Sequence, residues 1–391
     1  MKVGVFGGTF NPIHNGHLSL IANLIEALSL DELLLIPTAI PPHKDNSAVV
    51  SSHHRLNMCR LAVSDNPKVT VSDLEVRRGG KSYTVDTLRL LKADRPEDDF
   101  ILLVGSDMFY TLTEWRCADE VMRLAQVAAI AREKDELSRM YAQCERLQAL
   151  GAQAQVVKAD PVVVCSESLR NGVSLEDWVP ALVVRYILQN GLYGREQKLL
   201  VDLDELTAWL RTRLSRERFT HSLNVASEAL RLARTYNENG DAAYLAGLLH
   251  DCCKELPRVQ LLNYLEDSDI IKDPIFLETF RVWHGFAASK YIQSELSVLN
   301  TQIIDAVRYH TTGRGEMSRI EEIIFVADLI SADRDYPGVE AIRAKAYRSL
   351  EGAMLDILQF TIAKLVKNNQ PVLSDTLNAY NRYALKTVQE G

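Results

Sequence analysis

Apolar residues recur with two different spacings in this chain, one before and one after about residue 194. In the earlier part, short apolar runs of strand length alternate with amphipathic helical stretches. The strand-like runs include KVGVF, ELLLIP, FILLVG and QVAAIA, and the stretches VTVSDLEV and TVDTLRLLK lie between them. Helices are predicted near residues 17–28, 53–63 and 118–124. Such alternation indicates βαβ units around a buried, mostly parallel sheet. We therefore predict a doubly wound, Rossmann-like α/β domain.

The later part of the chain shows helical spacing almost throughout. The segment PALVVRYILQNGLYG is predicted to be the last helix of the first domain, closed by Gly191 and Gly194, and the polar connector REQK follows it. Apolar residues then recur at helical intervals in VDLDELTAWLRTRL, HSLNVASEALRLARTY, AAYLAGLLH, ASKYIQSEL, QIIDAVRYH and EEIIFVADLI. No comparable run of strands is present, so the pattern predicts an α/β domain at residues 1–194 and an all-α domain at residues 196–391.

The bulk composition agrees with two domains and excludes several classes of protein. A length of 391 residues favours two domains over one. No apolar run approaches the roughly 18 residues of a membrane helix, and the amino terminus begins a strand directly, so we expect a cytoplasmic protein without membrane contact. Lys and Arg number 20 against 24 Asp and Glu up to Gly194, and 24 against 28 after it, which argues against nucleic acid as a partner. The six cysteines form no C-x-x-C pair, which argues against a disulfide framework.

Two glycines and two histidines after the first strand have the chemistry of a phosphate site. Gly7 and Gly8 let the backbone approach an anion closely, and the helix that follows presents free amide donors at its amino end. His14 and His17 are three residues apart, so within one helical turn both face the same ligand. Any one of these residues alone is ordinary, but their order predicts a turn that grips a nucleotide triphosphate.

The same segment, GGTFNPIHNGH, resembles the H-x-x-H motif of nucleotidyltransferases. Together with PTAIPPHK, KSYTVDTL, LVGSD, Trp115 and ILQNGLYG, it makes residues 1–194 similar to bacterial nicotinate-nucleotide adenylyltransferases. The resemblance implies that the phosphate of nicotinate mononucleotide attacks the α-phosphorus of ATP, with Mg²⁺ bridging the β and γ oxygens. The products would be deamido-NAD and pyrophosphate.

The resemblance also implies roles for particular residues. The phosphate-handling and catalytic residues would be His14, His17, Lys44 and Arg170. ATP would contact Gly7, Gly8, Thr9, Phe10, Gly105, Asp107, Ser166 and Arg170, and nicotinate mononucleotide would contact Lys44, Tyr83, Thr84 and Trp115. One motif departs from the family, since I-S-S-T-x-I-R is VCSESLR here, with Cys165 and Glu167 in place of a serine and a threonine. A carboxylate facing a triphosphate would repel it, so either Glu167 points away or ATP binding is weakened.

All the histidines of the second domain are candidates for a metal centre. Four histidines follow residue 194, and two carboxylates accompany them: His221, His250, His284, His310, Asp251 and Asp328. Asp328 lies in the apolar segment IIFVADLI, where an unpaired buried carboxylate would be costly. Imidazoles and carboxylates without a thiolate suit iron, manganese or zinc better than calcium or magnesium.

This series resembles the HD superfamily of metal-dependent phosphohydrolases, with His221, His250, Asp251 and Asp328 as the basic ligand set. By the same resemblance, His284 and His310 suggest a second metal, bridged to the first by Asp251. RFTHSLNVA, AGLLHDCCKEL, VWHG, RYHTTGRGEMS and FVADLISADRDYPGV more narrowly resemble bacterial hydrolases that split diadenosine tetraphosphate symmetrically into two ADP. The resemblance implies a di-iron centre, with Mn²⁺ or another divalent ion as the alternative. It also implies phosphate contacts by Lys254 and Arg314, with Lys254 acting in catalysis.

Two alternatives stay open. Proteins with H-x-x-H also adenylate other phosphates, such as phosphopantetheine, or transfer cytidylyl groups, although KSYTVDTL and PPHK favour nicotinate mononucleotide. The second alternative is that the helical domain is a different nucleotide phosphohydrolase or a regulatory module without turnover, although a complete ligand series favours catalysis. The expected partners are small nucleotides, namely ATP, nicotinate mononucleotide and diadenosine tetraphosphate, and a homo-oligomer is compatible with the sequence.

Overall fold

The computed structural model divides into two compact units, Met1–Glu196 and Gln197–Gly391. It describes residues 1–41, 49–131, 136–158, 165–170, 174–266 and 274–390. The division lies next to the polar connector that the sequence suggests. Within the described residues, none of the helices combines the length and the apolar character needed to cross a bilayer.

A parallel sheet of six strands forms the centre of the first unit. The strands are β1 (Lys2–Gly8), β2 (Glu32–Pro37), β3 (Val69–Val71), β4 (Asp99–Gly105), β5 (Gln126–Ala131) and β6 (Ala154–Lys158). Their order is β3-β2-β1-β4-β5-β6, and every neighbouring pair is parallel. The predicted doubly wound α/β fold is therefore confirmed. The order reverses between β1 and β4, and ligands of such sheets bind outside the carboxyl ends of the strands at that point.

Helices flank this sheet along its length. They are α1 (Asn15–Ala27), α2 (Ser52–Ala62), α3 (Leu74–Arg78), α4 (Thr84–Asp94), α5 (Ser106–Tyr110), α6 (Ala118–Leu124), α7 (Leu137–Ala149), α8 (Ser166–Arg170) and α9 (Ala181–Gln189). The stretch VTVSDLEV divides between β3 and α3 rather than forming one element. The periodicity missed β6 because this edge strand pairs only with β5 and has just two buried positions among its five residues, so it contains no long apolar run.

The second unit is helical in all the parts that the structure describes, which confirms the predicted all-α domain. Its helices are α10 (Leu203–Arg213), α11 (Arg216–Thr235), α12 (Gly240–Leu249), α13 (Arg258–Leu265), α14 (Pro274–Glu278), α15 (Trp283–Ser294), α16 (Thr301–Tyr309), α17 (Arg319–Ile330), α18 (Val339–Ala346), α19 (Leu350–Lys367) and α20 (Ser374–Glu390). The last three follow the region in which the periodicity was clear.

The central helix α12 explains how distant residues of this unit meet. It is buried on almost every side, as expected for a helix that is apolar all round. A Cβ atom on Gly247 would lie 2.8 Å from the Cα of Ala226, so only glycine allows α11 and α12 to pack at this distance. This close approach brings the middle of α11 beside the end of α12, where the chain reaches His250 and Asp251.

Candidate nucleotide cleft and metal centre

A cavity of about 740 Å³ opens at the carboxyl ends of β1 and β4, where the strand order reverses. It brings together residues from four separate segments that the sequence analysis assigned to nucleotide binding: Gly7, Gly8, Thr9, Phe10, His17, Tyr83, Thr84, Gly105, Asp107 and Trp115. The volume lies within the usual range for a small-molecule site. The cavity therefore connects the proposed phosphate turn with the proposed nicotinate pocket.

The two glycines at the end of β1 have different surroundings. A Cβ atom on Gly7 would meet no protein atom within 4 Å, and Gly7 lines the cavity, so the missing side chain leaves room for a ligand. A Cβ atom on Gly8 would lie 2.6 Å from Cζ of Phe10, so Gly8 is needed for packing. Open space therefore lies beside Gly7, whereas the missing side chain of Gly8 makes space for the aromatic ring of Phe10.

His14 and His17 begin α1, whose amino end faces the turn after β1. His14 occupies the position just before the helix and is buried, and its ring lies 3.8 Å from that of His17, centroid to centroid. The backbone N–H of His14 donates to Nδ1 of His17 at 3.3 Å. Because Nδ1 accepts this bond, the neutral ring of His17 carries its proton on Nε2. A histidine that lines the cavity thus has the donor form that a phosphate oxygen requires.

Arg55 is a residue of this site that sequence reasoning missed. It is only 1% exposed, and its guanidinium donates to the carbonyl oxygens of Thr9 at 2.8 Å, Ala39 at 2.9 Å and Val50 at 3.1 Å. These bonds hold the segments after β1 and β2 in position around the cavity. An arginine in an amphipathic helix normally faces solvent, so no sequence signal distinguished this one.

The loop before His14 is held by the two predicted residues of α8. The Ser166 hydroxyl donates to the carbonyl oxygen of Pro12 at 3.0 Å, and Nη1 of Arg170 donates to that of Asn11 at 2.7 Å. Neither residue lines the cavity as described, so their contact with ATP stays a prediction. Glu167 is exposed. Lys44 lies outside the described residues.

In the second unit, three histidines follow one local rule. His250 and His310 come directly after α12 and α16, and His284 lies in the first turn of α15. Each donates its Nδ1 proton to the carbonyl oxygen three residues earlier, at 2.7 Å for His250, 2.8 Å for His284 and 2.7 Å for His310. This bond orients each ring and leaves Nε2 as the atom able to bind a metal.

These Nε2 atoms converge on the carboxylate of Asp251. Oδ1 of Asp251 lies 3.1 Å from Nε2 of His284 and 3.5 Å from Nε2 of His310, and Oδ2 lies 3.6 Å from Nε2 of His250. His221 extends the cluster, since its Nε2 lies 3.0 Å from Oδ1 of Asp328. All six predicted ligands therefore belong to one cluster drawn from five helices and the residues that follow them.

Three overlapping groups of donors fit a metal ion within this cluster. They are His221, His250 and Asp251; His250, His310 and Asp328; and Asp251, His284 and His310. Within each group the donor atoms lie within 4.8 Å of one another. Asp251 belongs to two of these groups, one that contains His221 and one that contains His284. This sharing is what a bridging carboxylate requires.

The protonation states of these residues suit a cation. Burial lowers the pKa of His250 and of His284 to about 4, so both imidazoles are neutral at pH 7. Burial alone would raise the pKa of Asp251, but the imidazoles of His250, His284 and His310 packed against its carboxylate outweigh burial and hold this pKa well below its usual range. Neutral imidazoles beside an ionised carboxylate are the forms that ligate metals.

The donor set fits a divalent metal on structural grounds as well. Nε2 of His250 is buried and has no hydrogen-bond partner among the described residues. Such an orphaned buried atom is destabilising by about 1–3 kcal/mol unless something satisfies it. Nitrogen and oxygen donors in this number are those preferred by iron, manganese and zinc, so a divalent metal is the group that these residues would hold.

Two basic residues that sequence reasoning missed surround the cluster together with Lys254. Lys254 lies with Nζ 3.0 Å from Nε2 of His284. Nη1 of Arg218 lies 3.5 Å from Oδ2 of Asp251, and Nε of Arg334 donates to the carbonyl oxygen of Asp328 at 2.7 Å. Arg334 also contacts the Asp328 carboxylate. These three side chains are partly exposed, so they form a positive rim at the metal centre.

Arg314 has different partners. Its guanidinium lies 2.7 Å from Oε1 of Glu321 and 3.1 Å from Oδ2 of Asp305, and it stacks over the ring of Tyr309. Since the side chain of Glu321 is fully buried, this pair is part of the core of the helical unit. A phosphate contact by Arg314 therefore stays a prediction without a described contact to the cluster.

Asp333 is a further residue that supports the site. Its Oδ2 lies 2.7 Å from Nδ1 of His221, and its Oδ1 accepts from Nδ2 of Asn224 at 3.0 Å. A carboxylate behind a ligating histidine fixes the ring and raises its basicity. In the sequence Asp333 follows Asp328 by five residues, and the end of α17 lies between them. The spacing of residues across a helix end does not predict where a side chain points, so this contact could not be predicted.

Comparison with known proteins finds a related family for each unit. Residues 5–174 match the cytidylyltransferase-like family, and residues 218–333 match the HD domain. A probable nicotinate-nucleotide adenylyltransferase of Geobacillus kaustophilus is 36% identical over 197 residues, which cover 49% of this chain and 86% of that protein. Another, from Dehalococcoides mccartyi, is 37% identical over 205 residues, which cover 50% of this chain and 98% of that protein.

One solved structure also resembles part of the chain. It is a predicted HD superfamily hydrolase involved in NAD metabolism, from Clostridium acetobutylicum, with 30% identity and a TM-score of 0.46, covering 47% of this chain and 98% of that chain. The sequence relatives are the stronger finding, because two of them exceed 30% identity over most of their own length. The chain belongs to the nicotinate-nucleotide adenylyltransferase family through its first unit, and it carries an HD domain in its second.

Proposed function

We propose that this chain is a bifunctional enzyme with one active site in each unit. The first unit transfers the adenylyl group of ATP to nicotinate mononucleotide, giving deamido-NAD and pyrophosphate. The observation that carries this proposal is that one cavity is lined both by Gly7 and His17 and by Tyr83, Thr84 and Trp115. It offers an anion site and an aromatic site within reach of one another, as the joining of two nucleotides requires.

In this reaction the protein contributes position and charge rather than a covalent nucleophile. Gly7 admits a phosphate to the backbone, and the amino end of α1 favours negative charge there. His17 donates from Nε2 to a phosphate oxygen and stabilises the charge that develops as the α-phosphorus is attacked. Mg²⁺ carried with ATP would neutralise further phosphate charge.

The direct test is the release of pyrophosphate from ATP and Mg²⁺ with different acceptors. We expect rapid release with nicotinate mononucleotide and little with phosphopantetheine. Equal rates with both acceptors, or transfer from CTP in place of ATP, would support the alternative that the first unit serves another substrate.

Replacing Gly7 by alanine separates ligand space from packing. The added Cβ meets no protein atom, so we expect an unchanged or slightly raised melting temperature. It occupies ligand space, so kcat/KM for ATP should fall by about 10- to 100-fold. The matched control is Gly8→Ala, whose Cβ clashes with Phe10 and should lower the free energy of unfolding by about 1–3 kcal/mol. A Gly7→Ala variant with normal KM for ATP would contradict the phosphate turn.

The second unit, on this proposal, hydrolyses diadenosine tetraphosphate symmetrically to two ADP. The observation that carries it is the cluster in which Asp251 is shared between two donor groups. A pair of divalent ions, iron being our choice and manganese the alternative, would supply an activated water and stabilise the charge on the phosphate. Lys254, Arg218 and Arg334 would bind the polyphosphate, because they form a positive rim beside the donors.

The substrate is tested with the full chain, reduced and loaded with ferrous iron without air. We expect diadenosine tetraphosphate to give two ADP as the only products by chromatography. ATP plus AMP as products would mean that the proposed symmetrical cleavage of the tetraphosphate is wrong. Absence of turnover with metal bound would favour a regulatory module or a different nucleotide substrate.

Arg334 and Arg314 allow the phosphate contacts to be distinguished. Arg334→Ala should lower kcat/KM for hydrolysis by about 10- to 100-fold, because Arg334 lies at the donor cluster. Arg314→Ala should instead leave the buried carboxylate of Glu321 without its cationic partner and lower the free energy of unfolding by about 1–3 kcal/mol. Kinetics and chemical denaturation of both variants provide the measurement. A loss of turnover in Arg314→Ala without loss of stability would restore Arg314 as the phosphate contact.

A further inference from the structure

The charged residues of the nucleotide cavity are unevenly distributed. Three of the described residues that line it are acidic, namely Glu75, Asp107 and Glu114. Arg116 is the single lysine or arginine among the described lining residues. Nicotinate mononucleotide carries a carboxylate as well as a phosphate, so in a cavity with this acidic lining a cation beside the ring carboxylate would offset the repulsion.

Arg116 lies beside the two aromatic residues proposed for the nicotinate ring. It follows Trp115 directly, and its guanidinium carbon is 4.7 Å from the centroid of the Tyr83 ring. Stacking on an aromatic face fixes the plane of a guanidinium and leaves the N–H groups at its edge available for other partners. The arginine is thus fixed at the wall that Tyr83 and Trp115 form.

The guanidinium of Arg116 is less committed than that of its neighbour Arg89. Arg89 donates to both carboxylate oxygens of Glu120 at 2.7 and 2.5 Å and pairs with Asp86 at 3.2 Å. Arg116 makes no hydrogen bond to another described residue, and its pair with Asp86 is loose at 4.0 Å, with a side chain 57% exposed. Of the two arginines, Arg116 is therefore the one with donors available to a ligand.

We propose that Arg116 determines specificity by binding the carboxylate of the nicotinate ring, so that the cleft selects the acid over the corresponding amide. This inference rests on the proposed adenylyl transfer. Both mononucleotides carry a positive pyridinium, so they differ only in the group on the ring. The carboxylate of nicotinate mononucleotide accepts charge-assisted bonds from Arg116, whereas the neutral amide of nicotinamide mononucleotide does not offset the repulsion between the pyridinium and the guanidinium.

The test is kcat/KM for both mononucleotides in Arg116→Gln, measured as release of pyrophosphate with the full chain. We expect a fall of about 10- to 100-fold with the acid and an unchanged or higher value with the amide. Arg116→Lys should retain part of the preference, because it keeps the charge but loses the stacked fork. The matched control is Arg139→Gln, since Arg139 stacks on Tyr110 at 4.3 Å but does not line the cavity.

The outcomes separate this inference from the proposed function. If the unmodified chain transfers to neither mononucleotide, the proposed function is wrong and the inference falls with it. If the unmodified chain is active but Arg116→Gln reduces both substrates equally, Arg116 is only structural and the inference is overturned. An unchanged preference for the acid in Arg116→Gln overturns it in the same way.

Discussion

Replacing His17 by alanine should lower kcat/KM for adenylyl transfer by about 10²- to 10³-fold, because it removes a donor aimed at developing phosphate charge. His17 lines the cavity, and its Nδ1 is occupied by the backbone N–H of His14, which leaves Nε2 as the proton-bearing atom. Melting temperature should change little, since His17 is partly exposed at the start of α1.

The control for this variant is His53→Ala. His53 is an exposed residue at the start of α2 and is absent from the lining of the cavity, so its loss should leave transfer unchanged. Steady-state pyrophosphate release gives both values. If the rate of His17→Ala lies within about threefold of the unmodified rate, His17 does not belong to the phosphate site. Loss of even one hydrogen bond to a charged group would have a larger effect on the rate.

Asp251→Asn should abolish hydrolysis, with a loss of about 10³-fold or more, and should lower the metal content of the chain. Asp251 is the carboxylate common to two donor groups, and it lies within 3.6 Å of three imidazole Nε2 atoms. Loss of a bridging negative charge removes several kcal/mol of attraction for two cations, which corresponds to that factor in rate. Elemental analysis and product chromatography on the same sample measure both effects.

Asp333→Asn is the matched control, because it changes a carboxylate that contacts the predicted ligands only through the outer nitrogen of His221. We expect a loss of about 10- to 100-fold in metal affinity or turnover, without abolition. Full metal content and turnover in Asp251→Asn would refute the shared-carboxylate centre. Equal effects of the two substitutions would show that Asp251 acts only as a second carboxylate behind the ligands.

The sequence predicts the parts of this molecule that depend on local order. Gly7, Gly8, His14 and His17 lie within one strand, turn and helix start, so their proximity follows from short-range geometry. The apolar character of α12 similarly predicts a buried helix that ends at the His-Asp pair. Resemblance to families added the distant members of both sites, which periodicity alone does not connect.

The arginines around the sites could not be predicted in this way. Four arginines occur in segments where arginine is ordinary, namely Arg55, Arg116, Arg218 and Arg334. The contacts of each depend on where its side chain points, and only the fold determines that direction. A long side chain reaches several partners from one backbone position, so spacing does not identify its contact. The edge strand β6 was not predicted for a related reason, because its pairing with β5 is known only from the assembled sheet.

The most direct test of the whole account is to measure both reactions on the unmodified full chain, His17→Ala and Asp251→Asn. We predict that His17→Ala loses adenylyl transfer and retains hydrolysis of diadenosine tetraphosphate, while Asp251→Asn does the reverse. Each retained activity then shows that the unit without the substitution is folded and active. Loss of both activities from either single substitution, or a normal rate for the reaction that the substitution should abolish, would contradict two separate active sites in this chain.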